Sequence, residues 1–391
     1  MTVLLLIECA GAGAGRHVAD LAESLTNYGH AAHLIYSSES TDSMFRQRVS
    51  ALRHKVAGLV GIPMRHAPHP NDALLIARLR EYIARNGPFD IIHCHSTKAG
   101  FIGRLGLRNA GGAIVYTPHA PLTMSPTLSW WAQPAVRALE VGLSRLTDAI
   151  IAVSDYEADH LASLGIAPQK IFVVANGVRA VESSEQLRAA ARARLGITKG
   201  RTAIGCVGRL EKQKRVDLVL RAVSGLPADL RSTVELAVVG GGSLENELKS
   251  LASGLGIADR VVWVGEVEEA ASLMAAFDVF LLSSDYEAMP YTLLEALAAG
   301  IPVVATRIGG VDAVITDGRN GFVVERGDVS RMSHRLGFLI EQGDLRSRMS
   351  REALAVSRRF SVGRMTDQTL AVYSSVLSHT DAVQPVSVLN H

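Results

Sequence analysis

The stretch Val279–Thr306, VFLLSSDYEAMPYTLLEALAAGIPVVAT, carries the pattern that decides the fold class of this chain. An apolar run at Val279–Ser283 leads through a polar loop into a helical pattern, where the leucines of Tyr291–Ala299 share one face. A second apolar run, Pro302–Ala305, follows. Continuous apolar strands that alternate with helices predict a parallel sheet covered on both faces, as in α/β proteins.

The same alternation extends to both sides of this stretch. Further strand-like runs lie at Thr2–Ile7, Ala31–Tyr36, Phe89–His93, Ala113–Tyr116, Ala149–Val153, Ile171–Val174, Thr202–Val207, Glu235–Val239 and Val261–Val264. The polar segment Asn176–Leu195 separates two similar patterns. We therefore predict two Rossmann-like domains, residues 1–178 and 179–360, with a helix at about 361–378 that packs back on the first domain and a tail at 379–391.

Composition sets the broad class of the protein. The chain has 391 residues, 48% of them apolar and 20% charged, which suits two globular domains. A formal net charge of +2 does not indicate a nucleic-acid partner. The three cysteines lie in or beside apolar runs and indicate reduced, buried thiols. Without a segment of membrane-spanning length, we expect a cytoplasmic protein.

Two basic side chains follow a buried strand in the second half. Arg209 comes just after the run Thr202–Val207, and Lys214 lies five residues further along. Cations at the carboxyl end of a parallel strand suit a diphosphate that must carry extra charge as a leaving group. A solvated loop is an equal alternative, because this segment holds two further cations.

Two glutamates flank the start of the predicted helix at Tyr291–Ala299. Glu287 precedes Pro290, which suits the first turn of a helix, and Glu295 lies inside the helix. A diphosphate can bind the free amides of a helix N-terminus, with one carboxylate on the sugar side and one on the ribose side. Alternatively, Glu295 is a surface residue and Glu287 only favours the helix dipole.

The loop after the first strand contains Gly11, Gly13 and Gly15. Small residues at this place let backbone amides approach an anion. A dinucleotide-binding domain would need an acidic residue at the end of the second strand, where Tyr36–Ser38 stand instead, so a dehydrogenase is disfavoured.

Histidines follow the central strands of the first half. His93 and His95 alternate along one strand and suggest a metal, but no third ligand is evident, so we predict no metal site and interpret them as structural or acceptor-side. His119 follows Pro118, where a packing or turn histidine is the alternative to a functional one.

The motifs, taken in order, resemble the retaining glycosyltransferases of family four, in the branch that builds bacterial surface polysaccharides. The matching segments are Ala12–Val18, His95–Gly100, Tyr116–His119, Val153-Ser154, Asn176–Val178, Gly208–Leu210, Glu287–Thr306, Gly309-Gly310 and Gly318–Gly321. The resemblance implies the GT-B fold, in which two Rossmann-like domains face each other across a cleft. The first domain would serve the acceptor and the second the nucleotide sugar. The chain departs from the family pattern at Ala12, Arg179 and Tyr291.

The resemblance also implies roles for single residues. The implied catalytic residues are His119, Glu287, Arg209 and Lys214. The implied donor-binding residues are Gly13, Arg209, Lys214, Glu287, Ala288, Met289, Pro290, Tyr291 and Glu295. His95 and Lys98 are assigned to the acceptor side. We expect no metal or other cofactor apart from the nucleotide sugar as co-substrate.

The predicted reaction moves a hexose from a nucleoside diphosphate sugar, with UDP as the first choice, to an acceptor hydroxyl with retention. A nucleotide-sugar 2-epimerase and a non-catalytic nucleotide-sugar-binding subunit are the alternatives. The expected acceptor is a lipid-linked glycan in surface polysaccharide synthesis.

Peripheral contact with an anionic membrane, at the inner face of the plasma membrane, rests on two features. The basic and apolar stretch Met44–Arg65 and the pair Trp130-Trp131 both suit a membrane interface. The alternative is a buried helix with a solvated basic face, and a tryptophan pair that packs inward.

Overall fold

The computed structural model describes residues 1–65, 69–181, 184–267 and 270–381. The chain divides into two compact units. One consists of Met1–Ala175 together with the chain from Val362 onward, and the other is Asn176–Ser361. The boundary drawn from the sequence, between residues 178 and 179, lies three residues later than this division.

The first unit alternates strands and helices. Its strands are β1 (Thr2–Ile7), β2 (Ala31–Ser37), β3 (Gly58–Ile62), β4 (Ile91–His95), β5 (Ala113–Thr117), β6 (Ala149–Ala152) and β7 (Ile171–Val173). Its first six helices are α1 (Ala12–Asn27), α2 (Ser43–Leu52), α3 (Asp72–Asn86), α4 (Thr97–Gly106), α5 (Gln133–Ser144) and α6 (Asp155–Ser163).

The seven strands form one parallel sheet in the order β3-β2-β1-β4-β5-β6-β7. Two apolar clusters, one on each face, cover the sheet. Helix α1 illustrates the packing, because Val18, Leu21, Ala22 and Leu25 repeat at helical spacing and are all buried. The sequence prediction of a Rossmann-like domain is confirmed for this unit.

The second unit repeats the design. Its elements are α7 (Glu185–Leu195), β8 (Thr202–Val207), α8 (Val216–Ser224), α9 (Ala228–Ser232), β9 (Val234–Val239), α10 (Glu245–Gly254), β10 (Val261–Gly265), β11 (Val279–Leu282), α11 (Tyr291–Ala298), β12 (Val303–Thr306), α12 (Val311–Val314), β13 (Gly321–Val324), α13 (Val329–Glu341) and α14 (Gly343–Ser357). The parallel sheet has the order β10-β9-β8-β11-β12-β13. The second Rossmann-like domain is therefore also confirmed.

The last described helix, α15 (Val362–Asp381), belongs to the first unit although it follows the second in sequence. Met365, Val372, Tyr373 and Val376 enter the same apolar cluster as β1 and α1. The tail predicted at 379–391 lies largely outside the described residues.

Two features of the first unit differ from the sequence interpretation. Met44–Arg65 is not one helix, because α2 ends at Leu52 and β3 begins at Gly58. Phe45, Val49 and Leu52 of α2 are buried, so this element packs as a core helix. The tryptophan pair does not pack inward: Trp130 is 83% exposed and Trp131 71% exposed.

Candidate active site

In both units the strand order reverses direction next to the first strand, between β1 and β4 and between β8 and β11. Loops that leave the carboxyl ends of these strands diverge and open a crevice where ligands bind in open parallel sheets. The sequence-predicted residues of the second unit follow β8 and β11, and those of the first unit follow β1, β4 and β5. Topology thus explains why residues far apart in sequence collect at one sheet edge in each unit.

In the second unit, the loops after β8 and β11 meet through a charged contact. Lys214 Nζ lies 2.5 Å from Glu287 Oε1, and Ser284 Oγ donates to the same oxygen at 3.1 Å. The Gln213 carbonyl accepts the Asp285 amide at 2.9 Å. Lys214 and Glu287 therefore form one preformed cation–carboxylate group, whereas Arg209 has an exposed side chain.

The loop before α11 is fixed from two further directions. Asn176 Nδ2 donates to the Met289 carbonyl at 3.0 Å, and Thr306 Oγ1 donates to the Ser284 carbonyl at 2.8 Å. Gly310 has φ +74°, and a Cβ there would lie 2.7 Å from the Ala288 carbonyl oxygen. Asn176 and Gly310 therefore have a structural role: they hold the loop before α11 in place.

Helix α11 presents its N-terminus at this loop. Pro290 is its N-cap residue, and the proline ring makes no capping hydrogen bond to the first turn. First-turn amides at the positive end of a helix dipole suit a phosphate group. Ala288, Met289, Tyr291 and Glu295 are all buried. Glu295 is thus not the surface residue that the alternative interpretation required.

Sequence reasoning missed the glycines after β9. A Cβ on Gly240 would lie 2.0 Å from the Gly208 carbonyl oxygen, and one on Gly242 would lie 2.5 Å from that of Leu210. Both glycines let the loop after β9 touch the loop that carries Arg209. The run GGGS directly after an apolar strand was the signal for this close approach.

In the first unit, the predicted glycine loop is the beginning of α1. Gly11 is the N-cap residue, so Gly13 lies in the first turn of the helix. Ala12 has φ +54°, and its amide donates to Asp42 Oδ2 at 2.6 Å. At position 15 a side chain is sterically excluded, because a Cβ on Gly15 would lie 1.9 Å from the Ala10 carbonyl oxygen.

Four imidazoles lie close together in the first unit, near the carboxyl ends of β1, β4 and β5. His95 Nδ1 lies 3.1 Å from His119 Nε2, and the His17 ring centroid lies 4.7 Å from that of His119. His93 packs 3.9 Å from His95, centroid to centroid. Its nitrogens lie 2.7 Å from the hydroxyl of Tyr373 and 2.8 Å from that of Thr117, which gives His93 a structural role.

Burial is the main cause that lowers the pKa of His95 and His119 well below the ordinary range, and neighbouring imidazoles lower both further. These rings are therefore neutral near pH 7. The sequence interpretation found no third ligand beside His93 and His95, yet the structure brings His17 and His119 to His95. The sequence analysis did not predict His17 as part of this cluster. Its position in the first helix, just after the glycine loop that follows β1, was the available signal.

A strained turn holds His119. His119 has φ +56° and Ala120 has φ +68°, a backbone region that side chains other than glycine rarely adopt. Glu157 Oε1 accepts the Ala120 amide at 2.7 Å, while its Oε2 accepts the Val153 amide at 2.7 Å. Burial raises the pKa of Glu157 to about 7. The pattern Ser154-x-x-Glu157, a capping-box signature, was an available signal.

Lys98 has a partner of its own. Its ammonium lies 2.6 Å from Asp72 Oδ2, and the side chain is buried. This ion pair gives Lys98 a structural role, and contact with an acceptor stays a prediction.

Among the described residues, no helix combines the length and the apolarity that crossing a membrane requires.

Two Rossmann-like units, each with polar loops at the strand-order reversal, have the architecture of the GT-B glycosyltransferases. A family model described as "Glycosyltransferase Family 4" matches residues 11–181, and one described as "Glycosyl transferases group 1" matches residues 188–356. The chain belongs to the family-four glycosyltransferases, as its motifs predicted.

Named relatives agree with this assignment. The D-inositol 3-phosphate glycosyltransferase of Actinosynnema mirum is 31% identical over 339 residues, which cover 82% of this chain and 81% of that protein. Its counterpart in Geodermatophilus obscurus is 32% identical over 71% of this chain, a match that spans 65% of the relative's length. The crystal structure of Anabaena Alr3699/HepE in complex with UDP-glucose has a TM-score of 0.81, 22% identity, and coverage of 96% of this chain and all of that one.

Proposed function

We propose that this protein transfers a hexosyl group from a UDP-sugar to an acceptor hydroxyl with retention of the anomeric configuration. The observation that carries the proposal is the Lys214–Glu287 pair, which lies in the loops that lead to the N-terminus of α11. A cation and a helix N-terminus favour a leaving diphosphate, while an oriented carboxylate favours the sugar and its developing positive charge. HepE, which shares the fold, was crystallised with UDP-glucose, and this supports UDP as the first donor to test.

In the proposed site, protein groups neutralise the negative charge of the leaving diphosphate. Arg209 and Lys214, with the amides of α11, would neutralise the diphosphate, and Glu295 would hold the ribose. Because these groups are fixed before the donor arrives, they stabilise charge without reorganisation. The proposed reaction therefore needs no divalent metal.

Two acceptor classes are proposed. The exposed Trp130 and Trp131 support a lipid-linked glycan presented at a membrane surface. The names of the relatives, D-inositol 3-phosphate glycosyltransferases, support a small phosphorylated polyol instead. Both would receive the sugar on a hydroxyl, and they differ in whether a membrane takes part.

A donor screen followed by a product assay tests the proposal. UDP-, GDP- and ADP-sugars are added to the purified protein, and a donor at about a hundredfold excess over its Kd raises stability by roughly 3 kcal/mol. The stabilising donor is then incubated with D-inositol 3-phosphate and, separately, with lipid-linked glycans in vesicles, with and without EDTA. Transfer in EDTA supports the proposal. Epimerised donor without transfer would favour the 2-epimerase, and binding without turnover would favour the non-catalytic subunit.

A further inference from the structure

We propose that His17, His95 and His119 form a binding site for a divalent transition-metal ion of the zinc class. One ring nitrogen from each histidine lies within 4.8 Å of the others. Nitrogen ligands at about 2.0–2.1 Å from a tetrahedral zinc ion lie roughly 3.3 Å apart. His95 Nδ1 and His119 Nε2 lie 3.1 Å apart, so two of the three rings already approach each other to about this spacing.

An independent feature also points to a ligand. His95 is fully buried, and within the described part of the chain its Nε2 has no hydrogen-bond partner. A buried polar atom in this state is unfavourable, and an ion bound to His95 through this nitrogen relieves it. A carboxylate lies at the same sheet edge, because Ser96 Oγ, next to His95, donates to Glu8 Oε2 at 3.2 Å.

The ligand set selects the class of ion. It consists of imidazoles alone, which suit zinc, cobalt, nickel and copper, whereas magnesium and calcium require oxygen ligands. The three histidines come from α1, from the last residue of β4 and from the turn after β5. Three protein ligands leave a fourth position for water or a small solute.

Such an ion would inhibit transfer, a consequence that rests on the proposed function. The resemblance to family four implies a catalytic role for His119, and a ring nitrogen bound to a metal can no longer take part in a hydrogen bond. The proposed metal ligands and the proposed diphosphate ligands come from different units, since Arg209 and Lys214 belong to the second unit. Metal-free protein is therefore the active form.

Cobalt titration of the metal-stripped protein tests the site. We expect one equivalent of Co²⁺ to bind with the intense visible absorption of four-coordinate cobalt, Zn²⁺ to displace it, and Mg²⁺ in large excess to leave it unchanged. His17→Asn and His119→Asn each remove one ligand and weaken cobalt binding by roughly a hundredfold or more. The control is His54→Ala, which removes an exposed histidine outside the cluster and retains the spectrum.

Thermal unfolding monitored by circular dichroism verifies that each variant is folded. A wild-type protein that gives no cobalt spectrum, or one that exchanges cobalt for magnesium, would overturn the proposal without reference to any variant. A folded His17→Asn protein with wild-type cobalt affinity would do the same. These readouts are independent of activity, so failure of the metal-free protein to transfer any sugar would count against the proposed function alone.

Discussion

At the scale of single residues, the proposed donor-side site depends on a few side chains held by specific contacts. Glu287 is oriented by Lys214 Nζ at 2.5 Å and by Ser284 Oγ at 3.1 Å. Its carboxylate is thus positioned before any substrate binds, which is the condition under which electrostatic stabilisation is most effective.

The variant Glu287→Gln is expected to lower kcat by about two to three orders of magnitude, because it removes the charge that faces the proposed sugar. Steady-state transfer kinetics check this, and unchanged thermal unfolding verifies the fold. Asp285→Asn is the matched control, since Asp285 lies in the same loop but pairs with Arg215. Equal losses in both variants would contradict a specific role for Glu287.

The variant Glu157→Gln tests the support of the His119 turn. A folded-state pKa of about 7 lies above the ordinary glutamate value, so the carboxyl group favours folding most below about pH 4.5 and loses this contribution as pH rises to about 7. Wild-type stability therefore carries a slope of up to about 1.4 kcal/mol per pH unit from this group, which glutamine lacks. The difference in Tm between the variant and the wild type should shift in favour of the variant from pH 5 to pH 7.5. A difference independent of pH would contradict the assignment.

At the scale of elements, the site is built from loops after parallel strands that are brought together by glycines. The loops after β8 and β9 touch only because Gly240 and Gly242 lack a Cβ. Gly240 also has φ +134°, which side chains rarely adopt. A loop that carries Arg209 thus depends on backbone contacts with its neighbour.

The variant Gly240→Ala is expected to displace the loop at Gly208 and to weaken UDP binding by tenfold or more, roughly 1.4 kcal/mol, together with a lower Tm. Isothermal titration calorimetry with UDP measures the affinity. Gly241→Ala is the control, because a Cβ there meets only Glu266 Cβ at 3.9 Å. If both variants bind UDP as the wild type does, the close approach has no part in donor binding.

At the scale of the whole molecule, the described residues of the first unit expose a group of apolar side chains. Trp130 and Trp131 precede α5, where Leu139 is 46% exposed, and Leu122 in the contacting turn is 42% exposed. The basic stretch Met44–Arg65 gives weaker support for membrane contact in the structure, because Arg48 pairs with Asp20 and Lys55 pairs with Glu23. Membrane contact would therefore depend mainly on the tryptophans.

The double variant Trp130→Ser, Trp131→Ser is expected to abolish co-sedimentation with vesicles rich in anionic lipid at low salt, because tryptophan side chains favour the membrane interface. Tyr156→Ser, an exposed aromatic of the same unit, is the control and should leave binding unchanged. Wild-type protein that stays in the supernatant, together with efficient transfer to D-inositol 3-phosphate, would contradict the membrane proposal and leave the transferase proposal intact.

Sequence patterns alone determined both Rossmann-like domains, because apolar strands that alternate with amphipathic helices leave few arrangements other than a parallel sheet. They also located Lys214, Glu287 and Glu295, since each follows or flanks a strand end or a helix start. The sequence patterns did not predict the short strands β3 and β13, because glycine-containing runs of four or five residues give a weak periodic signal. Only the tertiary structure decided which distant side chains meet. His17, His95, His119 and the supporting Glu157 lie on different elements, and strand order, a non-local property of the sheet, brings them to one edge.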